Sequence, residues 1–539
     1  MNKLQIEIRQ MSGVWVLLFA FCLLFSASCT SQPTNLKSFA PNETLIYLET
    51  DDLGIALESL TESKSFKRLA QKTKDISSVN GVQLAIAVTG FETSEKQVTE
   101  QNAILNFKPR LVAIADTHLW NWQTRTFAEE ILGNFVNETY GGEVSLQIAD
   151  KDAGNLYEWT APDGRKAYAF VKESLVFFSN DQAAIEKCLA VKRGEAESLM
   201  KNEGLRRAFD ANAENKLAFG YVSADGIAQI ANLVGVSAAI KATEEDDGRS
   251  FIARVLPQIL RNTTKEIVWT ASKTGKGLED KFSIALDQKY SSIFKETLER
   301  QTSGSTELAE FLSSDIFSAT RYSLKNPPIA WRSLLLVTKE TTDAVSGSVL
   351  QQFSSGLLAS YGISNAETFL QSVESDIFTA QFDADGDQAV TLAAVKDLDN
   401  LKRSLDEIID FKAAAENREG AEIWYSKDRN LSAAIIGKAL ILGNPDAIVK
   451  CIGAKSSGQN IAKTPDFTSF SESRSTAVTF GRNAASNEKI ISVLGELKNE
   501  EKDVTSIFVT QTDFTERGIE RKTISDFGFI GNILEQIED

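Results

Sequence analysis

The single histidine of the chain, His118, limits the catalytic chemistry that its residues could perform. A zinc site built from histidines, including the HExxH arrangement of zinc proteases, needs more than one histidine. A Ser-His-Asp triad would have to use His118, but no GxSxG turn is present to supply the nucleophile. No GxxxxGK[ST] or GxGxxG phosphate loop occurs either. We therefore predict a non-enzymatic protein with no catalytic residue and no cofactor.

Three aspartates lie close together in the segment Asp383-Ala-Asp385-Gly386-Asp387. A calcium loop of the EF-hand type has acidic ligands at its first, third and fifth positions, glycine at the sixth and glutamate at the twelfth. Here Gly386 comes too early, and the flanking stretches SDIFTAQF and QAVTLAAV are typical of strands. The segment therefore favours a hairpin turn at Asp385-Gly386. Calcium binding by Asp383, Asp385 and Asp387 is the alternative, and no other metal ligands are predicted.

Cys29 follows a short apolar segment near the start of the chain. The uncharged stretch VWVLLFAFCLLF, residues 14–25, is 12 residues long, whereas a membrane-spanning helix needs about 20. The order of charged, apolar and small residues predicts a secretory leader over residues 1–28. Ser26-Ala-Ser-Cys29 is similar to a bacterial lipobox, although Ser26 stands where leucine is usual. We expect Cys29 to carry a lipid that anchors the protein to a membrane, with residues 29–38 as a polar tether; plain secretion is the alternative.

The composition indicates an ordinary globular protein with an acidic surface. The chain has 539 residues, 42% hydrophobic residues, 24% charged residues and a net charge of −17. Such a surface repels nucleic acid, so no nucleic-acid partner is expected. Of the four cysteines, Cys22 lies in the predicted leader. Cys188 and Cys451 are predicted to be small buried apolar residues. The protein is therefore not predicted to be a disulfide scaffold.

The chain contains two similar copies of one pattern. The stretch KESLVFFSNDQAAIEKCL ends at Leu189 and matches GKALILGNPDAIVKCI, which ends at Ile452. Further along the chain, IVWTASKTGKGLEDKFSI, from Ile267, matches IFVTQTDFTERGIERKTI, from Ile507. In this match Lys281 aligns with Lys522. We predict copies over 39–300 and 308–539.

The pattern of each copy defines the predicted fold class, and residues 301–307 between the copies are the predicted linker. Alternating apolar runs and helical stretches predict an α+β fold, with two tandem copies of a mixed, mainly antiparallel sheet covered by helices on one face.

Two further apolar features could form binding surfaces. Trp120 and Trp122 lie at the start of a predicted helix, and we expect them to pack against the sheet, with sugar stacking as the alternative. The stretch GIAQIANLVGVSAAI, from Gly226, is followed by FIARVLPQIL and has a more polar counterpart in the second copy. We expect this helical pair to pack between the copies, and a surface for a partner or a lipid is the alternative.

The opening of the first copy resembles a family of exported bacterial proteins that is known as a domain of unknown function of the 3352 type. The resemblance rests on Ala40-Pro-Asn-Glu-Thr-Leu-Ile-Tyr47-Leu-Glu followed by the helical stretch LGIALESLTESKSFKRLA, with Asn42-Glu43 replacing an Ala-Asp step. It implies an exported protein with a duplicated layout of strands and helices, and it implies no activity and no catalytic residue.

These observations favour a non-enzymatic, lipid-anchored binding or scaffold protein of the bacterial envelope, located in the periplasm or at the cell surface. Its partner is then an envelope protein or ligand. A carboxylate-based hydrolase of envelope glycans is one alternative, because the 74 acidic residues offer many pairs. A protein that handles lipids or lipoproteins is another, and it predicts an apolar cavity near residues 226–260.

Overall fold

The chain folds as an α+β structure, as the sequence predicts, with antiparallel strands and intervening helices. The computed structural model describes residues 33–97, 103–212, 216–241, 247–301, 307–344, 346–347, 358, 361–464, 467–483, 485–498 and 505–538. The predicted leader, Cys29 and most of the predicted linker lie outside the described residues. No helix in the described part of the chain is long and apolar enough to cross a membrane.

The strands of the first half of the chain are numbered first. They are β1 Ile46–Thr50, β2 Ala70–Thr73, β3 Gln83–Gln97, β4 Ala103–Asp116, β5 Ser145–Lys151, β6 Gly154–Thr160, β7 Lys166–Lys172, β8 Leu175–Ser179, β9 Ala218–Val222, β10 Thr264–Thr274 and β11 Gly277–Leu286. The second half contains β12 Ser318–Ser323, β13 Val373–Gln381, β14 Ala389–Val395, β15 Glu416–Arg418, β16 Ala421–Tyr425, β17 Ser432–Ile436, β18 Ala439–Gly443, β19 Ala477–Asn483, β20 Gly495–Leu497, β21 Ser506–Thr515 and β22 Gly518–Ser525.

Helices connect these strands in both halves. In the first half they are α1 Leu53–Thr61, α2 Lys64–Leu69, α3 Asn121–Phe127, α4 Gly133–Tyr140, α5 Gln182–Lys192, α6 Glu203–Asp210, α7 Ala224–Lys241, α8 Asp247–Thr263 and α9 Gln288–Thr297. In the second half they are α10 Pro327–Thr341, α11 Ala366–Ser372, α12 Leu398–Leu405, α13 Pro445–Ser457, α14 Phe467–Glu472, α15 Ala485–Leu494 and α16 Gly528–Glu538. A π-helical turn, Ala128–Leu132, joins α3 to α4.

Twenty of the strands form one sheet in which all pairings are antiparallel. The first half contributes the order β5-β6-β7-β8-β4-β3-β1-β9-β10-β11. The second half contributes β15-β16-β17-β18-β14-β13-β12-β19-β21-β22. Read by position along the chain, both halves follow the same order. This shared order favours the tandem duplication, which itself stays a prediction.

The two halves join where β11 pairs with β22. In this ladder Lys281 lies opposite Lys522, the residue with which it aligns in the sequence. The Lys522 ammonium lies 2.6 Å from the Glu279 carboxylate, and the Lys281 ammonium lies 3.8 Å from that of Glu520. Each lysine therefore faces the glutamate of the opposite half, as expected for a junction between two equivalent strands.

Helices cover both faces of the sheet, and the prediction that they cover one face was wrong. Tyr47 of β1 lies in the buried cluster with residues of α5 and α6. The next residue, Leu48, packs on the cluster that contains residues of α1, α15 and α16. Successive residues of a strand point to opposite faces. The central strands are apolar at almost every position, as in β9 and β18, so both of their faces need cover.

The two cysteines that the sequence matches occupy equivalent helices. Cys188 in α5 and Cys451 in α13 are free thiols and fully buried. Burial raises the pKa of both thiols to about 12, so they remain protonated and behave as small apolar side chains.

Candidate functional site

Large apolar side chains are concentrated on the surface at the outer end of the first half. Trp120 is 77% exposed and Trp122 is 67% exposed, so the prediction that they pack against the sheet was wrong. The buried residue of this helix is Thr124. Residues two positions apart lie on opposite sides of a helix, so Trp122 points away from the sheet, and Trp120 precedes the first turn in an extended conformation.

The sheet beneath this helical segment is already filled by other side chains. Ala128 and Val136 pack on Tyr157 and Trp159 of β6, all of which are buried. The Tyr157 hydroxyl donates to the Glu129 carboxylate at 3.1 Å, and burial, with the nearby Glu129 carboxylate, raises the pKa of Tyr157 to about 12. The segment is thus held firmly without any contribution from the two exposed tryptophans.

His118 lies in the turn that connects β4 to α3. Its backbone adopts a left-handed conformation, φ 53°, and its backbone N–H donates to the Asp116 carboxylate at 2.9 Å. Its ring Nε2 lies 3.0 Å from Gln83 Oε1. The preceding residue, Thr117, contacts the Thr124 hydroxyl at 3.0 Å and donates to the Ser174 carbonyl at 3.0 Å. These contacts fix the turn and thereby the position of the tryptophans that follow it.

The strand β5 adds an apolar edge to the same end of the sheet. In the described part of the chain it pairs only with β6, and Leu146 and Ile148 are 40% and 49% exposed. They lie opposite Trp159 and Tyr157 in the ladder, on the face that the helical segment covers. That cover does not extend over β5, so a strand with an unpaired backbone edge also presents apolar side chains.

We call this set of exposed side chains the aromatic surface. It consists of Leu119, Trp120, Trp122, Ile131, Phe135, Leu146 and Ile148. The chain between residues 119 and 151 carries five acidic residues against two arginine or lysine residues. Large apolar side chains exposed at one end of a folded domain favour an interaction site, and the surrounding charge favours a partner with basic residues.

The predicted calcium ligands lie in the hairpin between β13 and β14. The Asp383 carboxylate accepts the backbone N–H groups of Gly386 at 2.7 Å and Gln388 at 3.0 Å. Gly386 has a φ of 81°, as a hairpin turn requires. Within the described ranges no group of three or more His, Cys, Asp or Glu side chains could hold a metal ion. Asp383 therefore stabilises a turn, as the favoured interpretation holds.

The apolar helical pair from Gly226 corresponds to α7 and α8, which pack on each other, and α8 also packs on α10 of the second half. The Gln258 side-chain amide donates to the Asp343 carboxylate at 2.8 Å, and that of Asn262 donates to the Thr341 carbonyl at 2.5 Å. Val255 is buried, while Leu256 is partly exposed. These contacts place α8 against the second half beside α10, so that one helix of the pair packs between the copies and α7 packs on β10 of the first half.

Sequence reasoning missed β5 as part of a site. Its signal was present, because VSLQIAD alternates polar and apolar residues as a half-buried strand does. That pattern predicts one covered face, and only the structure shows that the cover stops at β6.

Comparisons with known proteins do not assign a family. No protein-family model matches the chain. No curated protein matches it either. Among solved structures, crystal form I of TP0453 is 8% identical, covers 44% of this chain and 100% of its own, and has a TM-score of 0.22. That likeness is too low to carry an argument about fold or function, and the resemblance to exported proteins stays a prediction.

Proposed function

We propose that the chain is a non-enzymatic binding or scaffold protein of the bacterial envelope, held to a membrane by a lipid on Cys29. Its aromatic surface binds a partner protein that adds an extended strand beside β5. The exposure of Trp120 and Trp122 is the observation that carries this proposal.

Two exposed tryptophans favour binding, because the free energy falls when another molecule covers their large apolar area. Tryptophan is enriched among the residues that dominate the energy of protein interfaces. Burying apolar surface contributes about 25 cal/mol per Å². The aliphatic neighbours Leu146 and Ile148 extend the apolar area beyond the indole rings. Aliphatic side chains favour contact with a protein over stacking on a sugar.

The occupant is inferred from the edge of β5. An unpaired edge offers backbone N–H and C=O groups to an added strand, and alternating side chains then provide specificity. The partner strand would place apolar residues opposite Leu146 and Ile148. Basic residues on its flanks would meet the acidic side chains around the surface, among them Glu130, Glu138 and Glu143, which are exposed.

The duplication explains how such a site could arise on one half alone. We propose that the halves derive from one ancestral domain, supported by their shared strand order and by the Lys281–Lys522 pairing. One copy then carries the partner site, and the other extends the shared sheet.

The partner proposal is tested with photo-crosslinking in the native envelope. A photoreactive phenylalanine analogue replaces Ile148 in the full chain, and Leu398, which is similarly exposed on the second half, is the matched control site. We expect residue 148 to crosslink to one protein species, and the double variant Trp120→Ala/Trp122→Ala to reduce that product at least tenfold. Crosslinking to lipid alone, equal products from residue 398, or no dependence on the tryptophans would contradict the proposal.

The lipid anchor is tested separately by metabolic labelling. Cells that express the full chain are fed a clickable fatty acid, and wild type is compared with Cys29→Ser. We expect label on the wild type only. Equal label on both proteins would show that Cys29 is not the lipidated residue.

A further inference from the structure

We propose a second binding site, for a small aromatic carboxylate, in a cavity beside the junction of the two halves. The cavity has a volume of about 370 Å³ and lies over β21 and β22, with α15 and α16 beside it. This volume corresponds to about twelve water molecules at about 30 Å³ each, and it falls within the size range of small-molecule sites.

Four aromatic rings and one aliphatic side chain form the apolar part of the cavity wall. Phe282, Phe508, Phe527 and Phe529 contribute rings, and Ile490 adds an aliphatic wall. The Phe282 and Phe529 rings meet edge to face, with centroids 5.5 Å apart. Aromatic rings attract one another in edge-to-face and offset-stacked arrangements, so a planar aromatic ligand fits these walls.

The cavity exists because the two halves differ at one pair of positions. Thr510 pairs with Thr523 across β21 and β22. The corresponding pair on β10 and β11 is Trp269 with Phe282, whose rings stack at 6.4 Å. Aromatic side chains thus fill the space over one hairpin, whereas two threonines leave it open over the other.

The cavity also contains polar side chains that are hydrogen-bonded to one another. The Thr510 and Thr523 hydroxyls are 2.9 Å apart, and the Ser506 hydroxyl donates to Asn487 at 3.1 Å. Ser506, Asn487 and Thr510 are each more than nine-tenths buried. These groups can orient a polar substituent of a bound molecule.

Two charged groups lie at the cavity, and only one of them can receive an anion. The Asp280 carboxylate accepts the Trp269 indole N–H and the Phe529 backbone N–H, both at 2.8 Å. Burial raises the pKa of Asp280, and each of its two carboxylate oxygens already accepts one of these N–H groups. Arg521 is exposed at the rim and has no ion pair with a carboxylate of the described residues. A guanidinium in this position can bind a carboxylate through two hydrogen bonds.

The test uses 2-naphthoate as the probe and 2-naphthalenemethanol as its uncharged analogue, with binding measured by titration calorimetry on the mature protein carrying Cys29→Ser. We expect Arg521→Gln to weaken 2-naphthoate binding at least tenfold and to leave the alcohol unaffected. Arg517→Gln, which removes an exposed arginine of the same hairpin outside the cavity, should change neither affinity.

A second variant tests the cavity itself. Thr523→Phe restores the aromatic residue that the first half carries at this place, so it should abolish binding of both probes without lowering the unfolding temperature. Absence of measurable 2-naphthoate binding to the wild type at millimolar concentration would overturn the proposal. Equal binding by wild type and Arg521→Gln would also overturn it.

Discussion

The outer ends of the two halves differ although their strands follow the same order. In the first half, α3, a π-helical turn and α4 span residues 121–140 before the seven-residue strand β5. In the second half, the eight-residue α12 precedes the three-residue strand β15, Glu-Asn-Arg. The same strand order is thus compatible with both end arrangements. The aromatic surface therefore does not set the strand order, which favours a role in binding.

The second half shows how an edge strand is normally protected. Short, charged edge strands discourage pairing with other chains. All three residues of β15 are polar and exposed, and the Tyr425 hydroxyl donates to Glu416 at 2.9 Å. The longer β5 carries exposed Leu146 and Ile148 instead. The contrast supports the proposal that a partner binds at the edge of β5.

The largest effect should come from the buried tryptophans that the two ends have in common. Trp159 of β6 and Trp424 of β16 occupy equivalent strands and are 1% and 6% exposed. Truncation of a buried tryptophan leaves a cavity and costs about 3–5 kcal/mol. We expect Trp159→Ala and Trp424→Ala each to lower the free energy of unfolding by that amount in urea denaturation. A loss near zero for either variant would break the equivalence of the two strands.

The contrast between these tryptophans shows what the sequence could and could not predict. The strands and helices, the hairpin at Gly386 and the buried cysteines follow from local patterns of apolar and turn residues. The exposure of Trp120 does not follow from such patterns, because a tryptophan at the start of a helix is predicted to be a core residue. Whether it is buried depends on how Tyr157, Trp159 and Ala128 fill the sheet below, and no local pattern encodes that packing. Helices on both faces were missed for the same reason.

A smaller, matched effect is expected at the helices that carry the two cysteines. The Asp181 carboxylate accepts the Ala183 N–H at 2.9 Å, and the Asn444 side chain accepts N–H groups of the first turn of α13 at 3.0 and 3.2 Å. Loss of such a cap costs about 1 kcal/mol. Asp181→Ala and Asn444→Ala should therefore destabilise the protein by similar amounts in chemical denaturation. A threefold difference between them would show that the two helices are not equivalent.

The junction between the halves should show a still smaller effect. Lys522 and Glu279 form a cross-strand ion pair at a partly exposed position, and such pairs contribute about 0.2–1 kcal/mol. A double-mutant cycle with Lys522→Ala and Glu279→Ala measures the pair directly. We expect a coupling within that range that decreases at high salt, because added ions screen exposed charges. Coupling that is independent of salt would contradict an electrostatic contact.

The smallest effect on stability should come from the aromatic surface. Surface substitutions away from buried contacts change stability by about 0.5 kcal/mol or less. Trp120 and Trp122 are mostly exposed, so the double variant to alanine should unfold at nearly the wild-type denaturant concentration. A loss of several kcal/mol would show that these residues belong to the core after all. A variant that keeps its stability but loses its crosslink at residue 148 separates binding from folding, because the buried Trp159 and Tyr157 maintain the end of the sheet without the exposed indoles.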